Sequence, residues 1–80
     1  MTFPFTIATV DKILFEGEVV SVIAPGSAGE FTVLANHSAF ITTLKKGVVK
    51  VRKDKEEDLQ EFEISGGLLE TSSNRTTILV

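Results

Sequence analysis

The sequence predicts an all-β domain, built as two packed sheets or a flattened barrel. Three observations predict it. Helical periodicity is hard to find anywhere in the 80 residues. Val, Ile, Thr and Phe dominate, and their branched or aromatic side chains suit a pleated, half-buried surface. Turn residues recur at short spacing, so the chain reads as nine or so short strands.

Taken in order, residues 3–9 form the first strand, with Phe3, Phe5 and Ile7 on one face. Val10-Asp11-Lys12 turns, and Ile13-Leu14-Phe15-Glu16 makes a short second strand that Gly17-Glu18 breaks. Residues 19–24 are apolar enough for a largely buried strand ending at Pro25. Pro25-Gly26-Ser27-Ala28-Gly29 then reverses the backbone, because Pro fixes φ and Gly accepts positive φ. In the returning strand Phe31 and Val33 face one way, Thr32 and Leu34 the other.

Ala35-Asn36-His37-Ser38 reads as a loop, since Asn and Ser satisfy local backbone groups in turns. Residues 39–44 are extended, and Lys45-Lys46-Gly47 turns the chain into residues 48–53. The strongest hairpin follows. Val49 and Val51 alternate with charges on one strand, and Phe62 and Ile64 do so on the other. Lys50 and Arg52 are expected against Glu61 and Glu63, contributing about 0.2–1 kcal/mol per well-placed pair. Residues 54–58, four acids and one lysine, read as a solvated hairpin tip. Gly66-Gly67 permits a bend, residues 68–71 form a strand, Ser72-Ser73-Asn74 turns, and residues 75–80 close the chain in extended form.

Size and composition bound the function. A domain of 80 residues buries roughly two-thirds or less of its unfolded surface, so its stability is marginal unless a partner helps. Without cysteine no disulfide or thiolate site exists, and one histidine makes a closed zinc site unexpected. The net charge of -3 argues against a nucleic-acid surface. No apolar run approaches the ~20 residues of a membrane-spanning helix, and the N-terminus lacks the basic and apolar regions of a signal peptide. The expectation is a soluble intracellular domain.

Three motifs invite sharper readings, each beside a plainer one. Gly26-Ser27-Ala28-Gly29 matches the G-x-x-G of nucleic-acid clamps, but Glu30 follows it and strands flank it. It is a turn that can present Glu30 to a partner. His37 beside Ser38 suggests a hydrolase, yet adjacent residues rarely supply nucleophile–base geometry and no G-x-S-x-G elbow is present. The acidic run at 54–58 lacks the glycine and ligand spacing of a calcium loop. The residues alone define a small β-sandwich that acts as a binding module.

A resemblance takes the reading further. Pro25-Gly26-Ser27-Ala28-Gly29-Glu30-Phe31, His37, Thr42 and Leu44-Lys45-Lys46-Gly47-Val48 follow in register. Phe15-x-Gly17 precedes them and Ile64-Ser65-Gly66-Gly67-Leu68-Leu69-Glu70 comes after. Together they resemble the epsilon subunit of F-type rotary ATP synthases over essentially the whole chain. The resemblance implies a ten-stranded β-sandwich, and a non-catalytic rotor subunit without cofactor that helps couple proton flow to ATP synthesis. Its implied partners are the gamma subunit and the polar loops of the c-ring. Its implied place is the cytoplasmic face of the bacterial inner membrane, or an energy-transducing organelle membrane, without insertion into the bilayer. Isolated, the domain is expected to be a monomer.

Carried over by position, Ser27, Ala28, Gly29 and Glu30 are expected to meet the c-ring. Thr9, His37 and Thr42 match positions expected to face gamma. Phe40 is added as an apolar anchor because aromatics are enriched in interface cores. The family's Pro-Gly before the histidine is Ala35-Asn36 here, its following Ala-Pro is Ser38-Ala39, and its Lys-Pro-Gly is Lys45-Lys46-Gly47. Asn still tolerates the left-handed backbone. Most relatives continue into two C-terminal helices, whereas this sequence stops at Val80, so no inhibition by helix insertion into the catalytic head is expected. The competing expectations are an unrelated β-sandwich adaptor that adds a peptide strand to a sheet edge, and, more weakly, a hydrolase using Ser38 and His37.

Overall fold

A computed structural model describes residues 1–54 and 59–80. Nine strands are present among them: β1 Phe3–Ala8, β2 Ile13–Val19, β3 Ser21–Gly26, β4 Gly29–Leu34, β5 Phe40–Leu44, β6 Gly47–Arg52, β7 Gln60–Ile64, β8 Gly67–Ser72 and β9 Arg75–Leu79. One layer runs β2-β1-β9-β8-β5 and the other β4-β3-β6-β7, joined where Gly26 of β3 pairs with Leu44 of β5. The β1–β9 ladder is parallel and the others are antiparallel. The sheet thus curls into a sandwich, and its nine strands among the described residues come close to the ten the resemblance implied.

The core follows from alternation. Phe3, Phe5 and Ile7 are buried while their neighbours are half-buried, as the first strand's pattern predicts. They meet Val19, Val22, Ala24, Val33, Val49, Val51, Leu69 and Ile78 across the two layers. Thr71 and Thr76 are the buried polar pair, and their hydroxyls satisfy each other at 3.0 Å. That bond removes the desolvation cost that either hydroxyl would carry alone.

Three local expectations fail for tertiary reasons. Gly17-Glu18 does not break β2: the strand continues to Val19, with Gly17 opposite Phe5 and Glu18 opposite Pro4. Ladder bonds to β1 outweigh the weak strand propensity of Gly, and Phe15's ring fills the space beside Gly17. Val19 therefore ends β2, and the chain crosses between layers at Val20 before β3 starts. Nor does β3 stop at Pro25, which pairs with Glu30; the hairpin loop is only Ser27-Ala28. The carbonyl of Pro25 accepts from Lys45 N at 2.9 Å, so a residue with no N–H to donate still joins the ladder.

The Val49/Val51 and Phe62/Ile64 hairpin forms as expected, with Lys50 directly opposite Glu61. Glu63, however, lies opposite Val48, and Arg52 stands opposite Ser21 of β3, so of the four charged residues the register sets only Lys50 and Glu61 directly across from each other. The register is set by Gly47 meeting Ile64, and Glu63 lies four residues along β6 from Arg52. Beyond Asp54, the expected acidic tip lies outside the described residues.

Candidate functional site at the two ends of the sandwich

The ladders place the turns at two opposite ends. Gly26↔Gly29, Gly26↔Leu44, Gly47↔Ile64, Leu44↔Gly67, Leu68↔Leu79 and Ala8↔Leu79 gather one end. It carries Thr9 to Lys12, Ser27-Ala28, Lys45-Lys46 and Ser65-Gly66. The other end carries Met1, the loop from Ala35 to Ala39 and the Ser73-Asn74 turn.

At the first end, Ser27, Ala28, Gly29 and Glu30 are all exposed. Gly29 has φ +142°, a backbone that L side chains rarely adopt, in open space. Ser27 N donates to Thr43 O at 3.0 Å, and the Ser27 and Thr43 hydroxyls lie 2.8 Å apart. The turn is therefore pinned to β5 at its base and free at its tip. Gly47 stands behind it: a Cβ there would come within 2.9 Å of Pro25 Cβ, so the Lys45-Lys46-Gly47 turn needs glycine to pass over β3.

At the other end, His37 is exposed and Phe40 is half-buried against the core. Their rings lie 5.0 Å apart, and Phe40 meets Phe31 edge-on at 5.6 Å. Asn36 supports the loop with φ +62°, the left-handed geometry expected of it, and its N–H donates to Asn74 Oδ1 of the β8–β9 turn. His37 Nδ1 lies 2.9 Å from the main-chain carbonyl oxygen of Ser38. That carbonyl can only accept, so Nδ1 carries the proton. A histidine held this way by Ser38's own backbone is not positioned as a base for the Ser38 hydroxyl.

The four residues expected to face gamma do not cluster. His37 and Phe40 touch, and Thr42 lies two positions along β5 on the same side as Phe40. Thr9 lies at the opposite end, where its Oγ1 accepts from Asp11 N and Lys12 N at 3.1 Å each. That hydroxyl closes its own turn. Among the described residues no His/Cys/Asp/Glu group could hold a metal, and no helix is long and apolar enough to cross a membrane.

One surface escaped the sequence reading. On the outer face of the five-strand layer, Leu68, Leu79, Ala8 and Ile13 stand side by side across β8, β9, β1 and β2. Ile41, 64% exposed, flanks the row. Each residue alone looked like an ordinary strand hydrophobe; only the register aligns them. The signal available was the outward parity of Leu68 relative to the buried Leu69.

The fold is a small all-β sandwich with exposed polar loops at both ends. The chain belongs to the ATP synthase delta/epsilon chain β-sandwich domain family, whose model matches residues 2–80. It is 44% identical to an ATP synthase epsilon chain of Dichelobacter nodosus, over 99% of this chain and 56% of that protein. It is 42% identical to one from Chlorobium limicola, over 96% of this chain and 86% of that protein. It is 35% identical to one from Synechocystis, over the whole of this chain and 57% of that protein. The chain thus spans just over half the length of most of these relatives. A chain of the Euglena gracilis mitochondrial ATP synthase (OSCP/F1/c-ring, rotational state 1) superposes with a TM-score of 0.91 at 21% identity, covering 99% of this chain and 50% of that one. A chain of the Tetrahymena thermophila mitochondrial ATP synthase central stalk and c-ring gives 0.79 at 18% identity, covering 96% of this chain and 61% of that one. At these identities the likeness concerns the fold.

Proposed function

We propose that this domain is a non-catalytic subunit of the central stalk of an F-type ATP synthase, joining the gamma subunit to the c-ring. The observation that carries the reading is the family match over residues 2–80. The geometry supports it. The two contact groups sit at opposite ends of β4, whose six residues span about 20 Å. A domain that grips one partner with His37, Phe40 and Thr42 and meets another with the tip at Ser27 to Glu30 bridges them with a stiff sheet.

On this reading Thr9 belongs with the ring-facing end by position, although the resemblance assigned it to gamma. Glu30 supplies an exposed negative charge for a basic loop residue of the ring. The role is adhesion without a cofactor, at the cytoplasmic face of a bacterial inner membrane, and the domain is a monomer when isolated. The test is co-purification with gamma and then with the assembled c-ring. Retention of the chain on both supports the bridge; failure to bind either partner overturns it.

A further inference from the structure

Among the described residues three strands pair on one side only: β2 with β1, β7 with β6, and β4 with β3. Natural sheets guard such edges with charges, bulges or proline, because unpaired N–H and C=O groups recruit other strands. Two of the three edges are guarded here. β2 carries Glu16 and Glu18 and a register shift opposite Ile7/Ala8, and β7 carries Glu61 and Glu63. The β4 edge is not. Its ladder with β3 runs without a shift from Gly29 to Leu34, Glu30 is its sole charge, and Leu34 is 56% exposed.

The directions of the backbone groups follow from the ladder. Lys45 N donates to Pro25 O and Ser27 N to Thr43 O, which turns Pro25 and Ser27 toward β5. By alternation Ala24 and Gly26 bond β4, so Gly29, Phe31 and Val33 point inward to β3. Glu30, Thr32 and Leu34 then aim their main-chain groups at the open side. Their side chains also share the outer face, as the exposed/buried alternation of the strand requires.

We propose that this edge takes an added antiparallel strand from the stalk partner. The added segment carries an apolar residue opposite Leu34, a β-branched one opposite Thr32 and a basic one opposite Glu30. Read from its N-terminus, that is apolar-x-branched-x-basic. A second copy of this chain does not fit the pattern. Antiparallel pairing of β4 with itself about Thr32 sets Glu30 against Leu34, and moving the centre to Glu30 sets two carboxylates face to face. The edge is also continuous with both proposed contact groups, since β4 starts at the Ser27-Ala28 turn and ends at the His37 loop. The inference rests on the adhesion reading for its choice of donor.

Hydrogen exchange on the whole chain tests it. In the free protein the amides of Glu30, Thr32 and Leu34 exchange fast and those of Phe31 and Val33 slowly. Bound gamma slows the first three by more than about tenfold. Thr32→Pro, tolerated where an edge N–H faces solvent, removes the protection and weakens binding, whereas Thr32→Val retains both. Gamma binding with those three amides still fast overturns strand addition and leaves adhesion standing. If gamma does not bind, the adhesion reading fails, and a blocked peptide with the core Leu-Thr-Val-Thr-Lys decides the edge by itself. Protection by the peptide, lost when its Lys is replaced by Glu, supports the site; no protection overturns it. Protection that grows with the concentration of the chain alone identifies a second copy as the occupant and overturns the choice made here.

Discussion

The two flanks that close the sandwich are built from the same material and left in different states. On one flank, Phe15 of β2 meets Phe62 of β7 at 6.0 Å, with Phe5 behind it at 5.9 Å. Aromatic pairs stitch the outermost strands of the two layers, and the edges beside them carry glutamates. On the other flank, Phe31 and Phe40 make the equivalent contact, but His37 stacks outside them in an exposed loop and the β4 edge is unguarded. The first flank is a closure. The second is a closure that also presents a polar ring and open backbone groups, and stability alone does not require that.

The sharpest way to break the comparison is to remove the prop of the closed flank. Phe5→Ala is expected to cost about 3–5 kcal/mol, because the ring is fully buried and its cavity cannot collapse between two sheets. Urea titration read by circular dichroism checks this, and a loss below 1 kcal/mol would mean the seam is not structural. The open flank is expected to respond in binding. Phe40→Asp should weaken gamma by about 2 kcal/mol, the scale of an interface anchor, while retaining a β-rich circular dichroism spectrum. Titration calorimetry with gamma decides it, and unchanged affinity strikes Phe40 from the contact set.

Smaller effects sharpen the picture at the ends. Gly29→Ala meets no atom within 4 Å, so its whole cost comes from φ +142°, about 1–3 kcal/mol. A thermal melt checks it, and a neutral result would show that the turn relaxes. Asn36→Ala loses the residue best suited to φ +62° and should cost about 1 kcal/mol, whereas Asn36→Gly should cost less. Glu30→Lys is expected to change stability by less than about 0.5 kcal/mol, since the side chain is exposed. Its effect should appear in binding, as lost attachment to the c-ring measured by retention on the purified ring, and as weaker protection of the β4 edge by gamma.

Much of this was legible in residue order, for identifiable reasons. The alternation of Phe3, Phe5 and Ile7, and of Val49, Val51, Phe62 and Ile64, is a local property with a period of two, and every one of those inward positions is confirmed. Asn36 announced its left-handed backbone by type. Where local preference met a ladder, the ladder prevailed: Gly17 and Pro25 look like strand breakers, yet both sit inside strands because β1, β4 and β5 satisfy their neighbours. Glu63 stands opposite Val48, not a cation, for the same reason, a register set elsewhere. The residues expected to make contacts could be named singly but not grouped, since Thr9 and His37 lie at opposite ends.

The order of residues by itself determined a layered β architecture, its inward faces, its tight turns and its family, because each depends on side chains a few positions apart. Tertiary structure alone decided which strands are edges, which rows of side chains align and how far apart the surface groups stand. Those properties arise from hydrogen-bonded partners distant along the chain, as when Leu68, Leu79, Ala8 and Ile13 become neighbours only after β1 lies parallel to β9.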